Sequence, residues 1–398
     1  MEVIVSSVQE MVKNPIHEIP SPYLVHREPS ISSPPEQNSF AQIPILDLKM
    51  LLANKDSQKS SNLEKFHSAC KDWGIFQVVN HRVEPSLIEK VKNEVQEFYK
   101  LPLEERLKYK TRAGEVEGYG PTIIVSQDQK VDWADRFYMV TNPNHRRKSH
   151  LLPSFPKSLR ETLEAYICEL QKLASAVFGL ISEALKIEKE EVEEMFENGM
   201  QAMRMTYYPP CPQPEKVHGL TPHSDGSGIT ILLQVNGVEG LKVKKDGVWM
   251  PVKFLPNAFV VNLGDIVEIL SNGLYKSIEH KATVNRVKER ISIAMFFNPK
   301  FEAEVGPSRS VINTIKKPPI FRRMAMEQYL KEFFSRKLDG KSFIEYMKTK
   351  ISRDTYDRRP GGSLFNGRKV FAMGCSKASQ VRKALWLLVL EYKKGGEE

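Results

Sequence analysis

Three residues in the second half of the chain, His223, Asp225 and His280, have side chains that bind metal ions. His223 and Asp225 are two positions apart on a strand-like segment, so both side chains point to the same side and reach one ion together. His280 must then come from a distant strand that lies alongside. Two imidazoles and one carboxylate occupy one face of a divalent metal and leave the opposite positions open. This is the ligand set expected of a reactive non-haem Fe(II) site.

A second pair of residues, Arg290 and Ser292, follows His280 on an apolar run and shares a strand face for the same reason. An arginine buried in a metal pocket needs an anionic partner, and its planar fork suits a carboxylate. A metal beside a carboxylate anchor predicts a keto acid that chelates the iron.

Other interpretations of the triad stay open at the level of these residues. An isolated His-x-Asp triplet is frequent in surface turns. The same three ligands also suit Zn²⁺ with an open water position, as in a hydrolase. The Arg-x-Ser element favours iron, because a hydrolytic zinc site has no need of a second carboxylate clamp.

Ten stretches of the sequence, spread in order over about residues 15–350, carry a family resemblance. They resemble the plant-type 2-oxoglutarate- and Fe(II)-dependent dioxygenases, the group that includes anthocyanidin synthase, flavonol synthase and the opium-poppy O-demethylases. The poppy demethylase-like and senescence-related branch is the most similar part of that group. The stretches are IPILDL (43–48), ACKDWGIFQVVNH (69–81), EGYG (117–120), DWADRFYM (132–139), RMTYYPPCPQP (204–214), LTPHSDGSGITILLQ (220–234), LPNAFVVNLGD (255–265), NGLYKSIEHKA (272–282), ERISIAMFFNP (289–299) and RKLDGKS (336–342).

The resemblance implies an α+β fold with a double-stranded β-helix (jelly-roll) core flanked by helices. It implies an oxidoreductase of plant specialised metabolism that hydroxylates, desaturates or O-demethylates a small aromatic metabolite such as an alkaloid or flavonoid. Fe(II) is the expected cofactor, 2-oxoglutarate and O2 are the cosubstrates, ascorbate is supportive, and succinate and CO2 are released. A non-catalytic ligand-binding relative, such as a hormone sensor, is an alternative beside the zinc hydrolase.

The family motifs also assign site residues. They place Fe(II) on His223, Asp225 and His280, and the distal carboxylate of 2-oxoglutarate on Arg290, Ser292 and Tyr208. By resemblance to anthocyanidin synthase, the expected substrate contacts are Arg136, Tyr138, Arg204, Phe296 and Asn298. Phe296 is four residues beyond Ser292 and therefore shares its strand face, and aromatic walls suit a flat, ring-containing substrate.

Two positions depart from the family pattern. Thr206 stands where the family usually has asparagine, so a hydroxyl replaces an amide at one auxiliary cosubstrate contact. Arg82 follows Asn80 and His81 where the family usually has glycine, and a turn with positive φ would be strained there. His81 itself is interpreted as structural.

Periodicity predicts the elements that position these residues. Apolar side chains at helical spacing indicate helices over 63–73, 85–99 and 159–187, followed by an acidic helix over 188–197. Strands are expected at 43–48 and 75–79. From residue 202 to 299 the pattern changes to short β-type runs, with Asn236-Gly237 and Asp246-Gly247 as hairpin signals. These runs are MRMTYY, ITILLQ, LKVKK, VWMPV, AFVVNL, IVEIL, HKATVN and ISIAMFF, and their spacing is typical of a double-sheet barrel.

Composition divides the chain into six regions. They are an N-terminal arm (1–42), an N-terminal dioxygenase region (43–150), a helical connector (151–198), the Fe(II)/2-oxoglutarate jelly-roll core (199–300), a C-terminal helical region (301–352) and an atypical basic tail (353–398). The tail has no family counterpart, and we expect it to be poorly ordered and without a catalytic role.

Charge and hydropathy limit the partners. The net charge is +9, but the tail holds ten Lys or Arg against five Asp or Glu, so the excess does not indicate nucleic-acid binding. The first fifteen residues carry acids and lack an apolar core, unlike a secretory signal. No apolar run of about 18 residues exists, so a membrane span is not expected. A cytoplasmic monomer that acts on a small aromatic molecule is the prediction.

Overall fold

The computed structural model describes residues 7–25, 42–53, 56–126 and 128–349. The tail predicted at 353–398 lies outside the described residues. In the described ranges the helices are α1 (Val8–Met11), α2 (Leu48–Leu51), α3 (Asp56–Ser68, continued by a π-helical turn Ala69–Trp73), α4 (Pro85–Lys100), α5 (Leu103–Leu107), α6 (Leu159–Leu185), α7 (Lys189–Phe196), α8 (Asp265–Leu270), α9 (Arg309–Ile315), α10 (Met326–Phe334) and α11 (Ser342–Met347).

The strands form two main sheets and one small pair. They are β1 (Ile45–Asp47), β2 (Ile75–Val79), β3 (Gly118–Gly120), β4 (Asp135–Asn142), β5 (Gln201–Tyr208), β6 (Leu220–His223), β7 (Ile229–Gln234), β8 (Leu241–Lys245), β9 (Val248–Pro251), β10 (Phe259–Leu263), β11 (His280–Ala282), β12 (Arg290–Phe297), β13 (Glu304–Val305) and β14 (Met324–Ala325). The large sheet has the order β1-β2-β10-β7-β12-β5-β4-β3, the small sheet has the order β6-β11-β8-β9, and β13 pairs with β14.

Side chains from both main sheets line one cavity. Leu241 and His280 reach it from the small sheet, and Thr230 and Ser292 reach it from the large sheet. Strands of the large sheet are buried on both faces because helices cover the outer side, as the unbroken burial of β10 shows. Two sheets around a central cavity with an outer helical layer agree with the predicted α+β architecture.

The long helix α6 supports the large sheet from outside. Its sequence repeats apolar residues at helical spacing, and the resulting stripe is buried against α3, α4, α7 and β7. The stripe consists of Leu163, Ile167, Leu170, Leu173, Val177 and Leu180. The helix is therefore scaffold that fixes the outer face of the strands carrying the site.

The N-terminal arm packs on the barrel through α1. Asp135 at the start of β4 accepts hydrogen bonds from Ser7 Oγ at 2.5 Å and from the backbone N–H of Val8 at 3.0 Å. Val8 is buried. A carboxylate at the first turn of a helix satisfies its free N–H groups, so part of the arm is anchored to the large sheet.

The structure corrects one strand prediction. The run IVEIL, residues 266–270, is not a strand but lies in helix α8, which begins at Asp265 directly after β10. Every residue of α8 is buried, so the sequence shows no alternation with which to tell a buried helix from a buried strand. Gly264 permits the sharp turn, because a Cβ there would lie 2.0 Å from the carbonyl oxygen of Ser227.

A hairpin prediction is also wrong. Asn236-Gly237 does not join two paired strands, because β7 belongs to the large sheet and β8 to the small one. The Asn236 side chain instead holds the start of β12: it donates to the carbonyl of Glu289 and accepts from the N–H of Ile291, both at 2.8 Å. The other signal, Asp246-Gly247, does form a hairpin between β8 and β9, with φ of 50° and 82°.

The turn after β2 contains the strain that the sequence indicated. Arg82 has a φ of 68° and its side chain is exposed. His81 has the expected structural role, since its Nε2 lies 2.9 Å from the carbonyl oxygen of Asn257 and its Nδ1 accepts from the N–H of Val83.

Replacing Arg82 by glycine should stabilise the protein. The left-handed conformation costs a residue with a Cβ roughly 1–2 kcal/mol, and the greater freedom of glycine in the unfolded chain offsets about 0.5–1 kcal/mol of that gain. We expect Arg82→Gly to raise Tm by about 1–2 °C in thermal unfolding. Arg112 is exposed with ordinary φ, so Arg112→Gly should lower Tm. An equal fall of Tm in both variants would show that the backbone at Arg82 is not strained.

Candidate metal centre and cosubstrate pocket

The metal-binding triad assembles where β6 and β11 pair. His223 lies at the end of β6 directly opposite His280 at the start of β11, and the two ring centroids are 4.3 Å apart. Asp225 Oδ1 lies 3.3 Å from His223 Nε2 and 3.8 Å from His280 Nε2. The three side chains are buried, and their ligand atoms lie within 4.8 Å of one another. One ion can therefore contact all three.

The register of the triad differs slightly from the expectation. Strand β6 ends at His223, so Asp225 belongs to the following loop and not to the strand. The loop is fixed instead by backbone hydrogen bonds: Asp265 N–H donates to the carbonyl of Asp225 at 2.7 Å, and Ser224 N–H donates to the carbonyl of Gly340 at 3.2 Å. The carboxylate reaches the site because of this loop anchoring.

Both imidazoles are oriented by backbone carbonyls. His223 Nδ1 lies 2.8 Å from the carbonyl oxygen of Thr221, and His280 Nδ1 lies 3.1 Å from that of Ile278. A carbonyl only accepts, so each Nδ1 carries the proton and each Nε2 lone pair faces the centre. This second hydrogen bond is the usual way in which a protein fixes the tautomer of a metal-binding histidine.

The carboxylate of Asp225 is oriented through one oxygen only. Its Oδ2 accepts from Thr230 Oγ1 at 2.6 Å and from Asn262 Nδ2 at 2.8 Å. Its Oδ1 is left facing the two Nε2 atoms. Thr230 on β7 and Asn262 on β10 are neighbours across the large sheet, so that sheet supplies the support for a ligand carried by the small-sheet loop.

Electrostatics favour the metal-binding protonation states of Asp225 and His280. Burial alone would raise the pKa of Asp225, but His280 and His223 beside it hold the pKa below its usual range. Burial lowers the pKa of His280 to about 4, with a contribution from His223. A carboxylate and neutral imidazoles are the forms that ligate.

The carboxylate clamp lies on two adjacent strands of the large sheet. Arg290 on β12 pairs in register with Tyr208 on β5, and Ser292 pairs with Thr206. All four side chains line the same cavity as His280 and Asp225. The Arg290 guanidinium lies over the Tyr208 ring at 4.9 Å from its centroid. The sequence-predicted clamp residues are thus brought together on one face.

Arg290 itself requires an anion. It is 2% exposed, and burial lowers its pKa. Its Nε and Nη1 have no hydrogen-bond partner within the described part of the chain, and it forms no ion pair there. A buried, unpaired guanidinium is costly. The carboxylate of a 2-oxo acid, bound to Arg290 while its keto end chelates a metal on the triad, satisfies both groups, so the residues fit Fe(II) and 2-oxoglutarate.

A larger cavity opens next to the metal site. Its volume is about 730 Å³, within the usual range for a small-molecule site. All five predicted substrate contacts line it: Arg136, Tyr138, Arg204, Phe296 and Asn298. Phe296 lies 6.4 Å from Tyr138 between ring centroids, which gives one aromatic wall. Asn298 also donates to the Met200 carbonyl at 3.1 Å.

The end of α10 and the segment after it close this cavity on one side. Phe333, Phe334 and Leu338 line it. The segment is tied to the metal loop, because Gly340 N–H donates to the carbonyl of Pro222 at 2.9 Å. Next to it, Lys341 Nζ lies 2.6 Å from the buried Glu268 Oε2 on α8. Backbone hydrogen bonds therefore connect the wall of the substrate cavity directly to the segment that carries the metal ligands.

Comparison with known proteins agrees with this geometry. Residues 199–299 match the family model of the 2OG-Fe(II) oxygenase superfamily, and residues 43–158 match that of the non-haem dioxygenase in morphine synthesis N-terminal region. The chain is 46% identical to oxoglutarate-dependent flavonoid 7-O-demethylase 1 of Ocimum basilicum, over 86% of this chain and 91% of that protein. It is also 46% identical to codeine O-demethylase of Papaver somniferum, over 86% of this chain and 96% of that protein.

A solved structure shows the same fold. The structure of JOX2 in complex with 2OG, Fe and JA superposes with a TM-score of 0.77 at 35% identity, over 87% of this chain and 98% of that one. A dioxygenase for auxin oxidation in rice has a TM-score of 0.67 at 22% identity, over 77% of this chain and 100% of that one. The predicted jelly-roll fold is confirmed.

Removing one support of Asp225 should weaken metal binding. Thr230→Val keeps the shape but loses the hydrogen bond to Oδ2, and lost outer-shell partners typically cost 10–100-fold in metal affinity. We expect the dissociation constant for Mn²⁺, measured by calorimetry on the full chain, to rise about 10-fold. Thr141 is equally buried, but its hydroxyl faces Met295 Sδ, so Thr141→Val should leave the constant unchanged. Equal affinity in both variants would show that Thr230 does not orient the ligand.

Proposed function

Because the chain belongs to the 2OG-Fe(II) oxygenase superfamily, we propose that its triad and clamp oxidise a small aromatic specialised metabolite. The protein is a 2-oxoglutarate- and Fe(II)-dependent dioxygenase. The zinc-hydrolase and non-catalytic alternatives have no support from these relatives. The observation that carries the assignment of residues is the arrangement of Asp225 Oδ1 and two imidazole Nε2 atoms beside Arg290, whose Nε and Nη1 have no hydrogen-bond partner among the described residues.

The metal ligands in this proposal are His223 Nε2, His280 Nε2 and Asp225 Oδ1. Fe(II), when bound, supplies the redox chemistry by which O2 decarboxylates 2-oxoglutarate to succinate and CO2 and oxidises a substrate C–H bond. The protein contributes position: these three residues would hold the ion, and His223 and Asp225 line the large cavity in which the substrate would meet it.

The cosubstrate is oriented by the clamp. Arg290 offers a two-pronged contact to the distal carboxylate, and Ser292 and Tyr208 add hydroxyl donors from neighbouring positions. Thr206 stands beside them and is buried, so its hydroxyl takes the place of the usual amide. The apolar residues around the clamp, such as Leu232 and Leu241, keep water from the carboxylate.

The substrate ring lies in the 730 Å³ cavity against the aromatic wall of Tyr138 and Phe296. Flat rings gain from aromatic neighbours in such a pocket. The named relatives act on flavonoids and on codeine by O-demethylation. We propose the same for this chain: hydroxylation of an O-methyl carbon gives a hemiacetal, which collapses to the free hydroxyl compound and formaldehyde.

No described helix is both long and apolar enough to cross a lipid bilayer. The cytoplasmic location, the monomeric state and the supportive role of ascorbate stay predictions. They do not enter the proposed chemistry.

A substrate panel tests the proposed function. The purified chain with Fe(II), 2-oxoglutarate and ascorbate should release succinate and formaldehyde when methoxylated flavonoids or methoxylated alkaloids are added. Asp225→Ala removes the only carboxylate ligand and should abolish both products while the protein stays folded. Turnover that persists in Asp225→Ala, or succinate formation that requires no bound metal, contradicts the assignment.

The clamp makes a separate prediction. Arg290→Lys keeps the charge but loses the two-pronged geometry, so KM for 2-oxoglutarate should rise roughly 10- to 100-fold, the equivalent of one charge-assisted hydrogen bond. KM for the organic substrate should change far less. Arg286 is exposed beside Glu215, so Arg286→Lys should change neither constant. An equal rise in both KM values for Arg290→Lys would show that Arg290 is not the cosubstrate anchor.

A further inference from the structure

The substrate cavity contains two arginines that the metal and clamp do not use. Arg136 on β4 pairs across the sheet with Thr206, and Arg204 on β5 pairs with Tyr138. The two arginines are therefore diagonal neighbours on one face of the large sheet, with Cβ atoms about 7 Å apart. Both line the cavity next to the metal site, and Arg204 also borders the cavity that contains His280 and Arg290.

Neither arginine forms an ion pair among the residues that the structure describes, although the carboxylate of Asp132 attracts Arg136 across the cavity. Arg136 Nη1 donates to the carbonyl of Val116 at 3.0 Å, but its Nη2 is buried without a partner. Arg204 lies over the Phe296 ring, 5.5 Å from the centroid, and its Nε is buried without a partner. Burial lowers the pKa of Arg136 to about 10, and Arg204 contributes to the fall. The two guanidinium groups thus repel each other.

Most of the other charged groups around the cavity have partners, and Lys130 Nζ donates to the backbone carbonyl of Ser21. The ion pairs are Lys244–Glu279, Arg336–Glu332 and Lys337–Asp128. Asp132 accepts hydrogen bonds from Thr122 and Thr221, and Asp339 lies near Lys337. The carboxylate of Asp225 belongs to the metal site. Among the described cations that line this cavity, Arg136 and Arg204 are therefore the two with buried nitrogen atoms that lack a hydrogen-bond partner.

We propose that Arg136 and Arg204 form a subsite for an oxyanion of the organic substrate, a carboxylate or an ionised phenol. This inference rests on the proposed function and deepens it by naming the charge class of the substrate. A guanidinium pair stabilises an oxyanion by charge-assisted hydrogen bonds. The same pair repels a protonated amine, so the geometry selects acidic phenolics over basic alkaloids. Sequence similarity does not make this distinction, because the flavonoid demethylase and the codeine demethylase are equally identical to this chain.

The oxyanion subsite is distinct from the cosubstrate clamp. Arg290 lies on β12 and packs against Tyr208, whereas Arg136 lies on β4, two strands away in the same sheet. Tyr138 and Phe296 stand beside the arginine pair and face the same cavity. A ring packed against these aromatic side chains places its acidic group on the arginines and directs another substituent to the metal site.

Three probes of one shape and different charge test the subsite. We would measure binding of 4-methoxycinnamate, its neutral primary amide and the cation 4-methoxyphenethylammonium by calorimetry. In these measurements the full chain would be bound to Mn²⁺ and saturating 2-oxoglutarate. The clamp is then occupied and no turnover takes place. The acid should bind roughly 10- to 100-fold more tightly than the amide, and the cation should bind most weakly.

Substitution then assigns the preference to the two arginines. Arg136→Gln and Arg204→Gln should each reduce the acid-to-amide affinity ratio about 10-fold and leave amide binding unchanged. Arg336→Gln at the cavity rim, where Arg336 pairs with Glu332, should keep the ratio. Because unpaired buried charge is unfavourable, neither arginine variant should lower Tm; a purely structural arginine would lower it.

The outcomes separate the two proposals. Failure of 2-oxoglutarate and Mn²⁺ to bind would overturn the proposed function. Normal 2-oxoglutarate binding with an acid-to-amide ratio near one overturns only the oxyanion subsite. A ratio that survives in both arginine variants, tighter binding of the cation, or no binding of the acid at all overturns it as well.

Discussion

The geometry of the metal site depends on the different partners of the two carboxylate oxygens of Asp225. Hydrogen bonds from Thr230 and Asn262 hold Oδ2, and Oδ1 is thereby fixed toward the two imidazoles. A buried carboxylate in a low-dielectric site is expensive unless it is paired and hydrogen-bonded. Hydrogen-bond donors from the large sheet offset part of this desolvation free energy, and a divalent ion bound on the small-sheet side would offset the rest.

This constraint explains why two sheets are needed. The small sheet places His223 opposite His280, and the large sheet supplies the supporting hydroxyl and amide, the clamp and the aromatic wall. Register on β12 orders the proposed functions along one strand: Arg290 and Ser292 line the cavity proposed for the cosubstrate, and Phe296 lines the larger cavity proposed for the substrate. A shift of one residue would turn all three side chains out of the cavity. The helical layer under the large sheet, above all α6, fixes that register.

The triad and the clamp, which the structure brings together, could be singled out from sequence because their residue types and spacing are chemically distinctive. The supports could not. Asn262 lies in the predicted strand run AFVVNL, and its side chain donates to Asp225 Oδ2; the available signal in the sequence is one amide inside the apolar run FVVNL. Thr230 gives no such signal, because threonine is ordinary in strands. Helix α8 was predicted as a strand because burial on every side removes the periodicity of apolar residues. Asn236 was predicted as a hairpin residue, but its side chain bonds the start of β12, a contact that sequence spacing does not reveal.

A crystal structure of the chain with Mn²⁺ and 2-oxoglutarate under anaerobic conditions tests the central claim most directly. The account predicts one ion at about 2.0–2.2 Å from His223 Nε2, His280 Nε2 and Asp225 Oδ1, distances typical of nitrogen and carboxylate ligands. It also predicts the distal carboxylate on Arg290, with Oδ2 of Asp225 still bonded to Thr230 and Asn262. An ion bound through Asp225 Oδ2, or a cosubstrate carboxylate on Arg136 and Arg204 with Arg290 left unpaired, would contradict it.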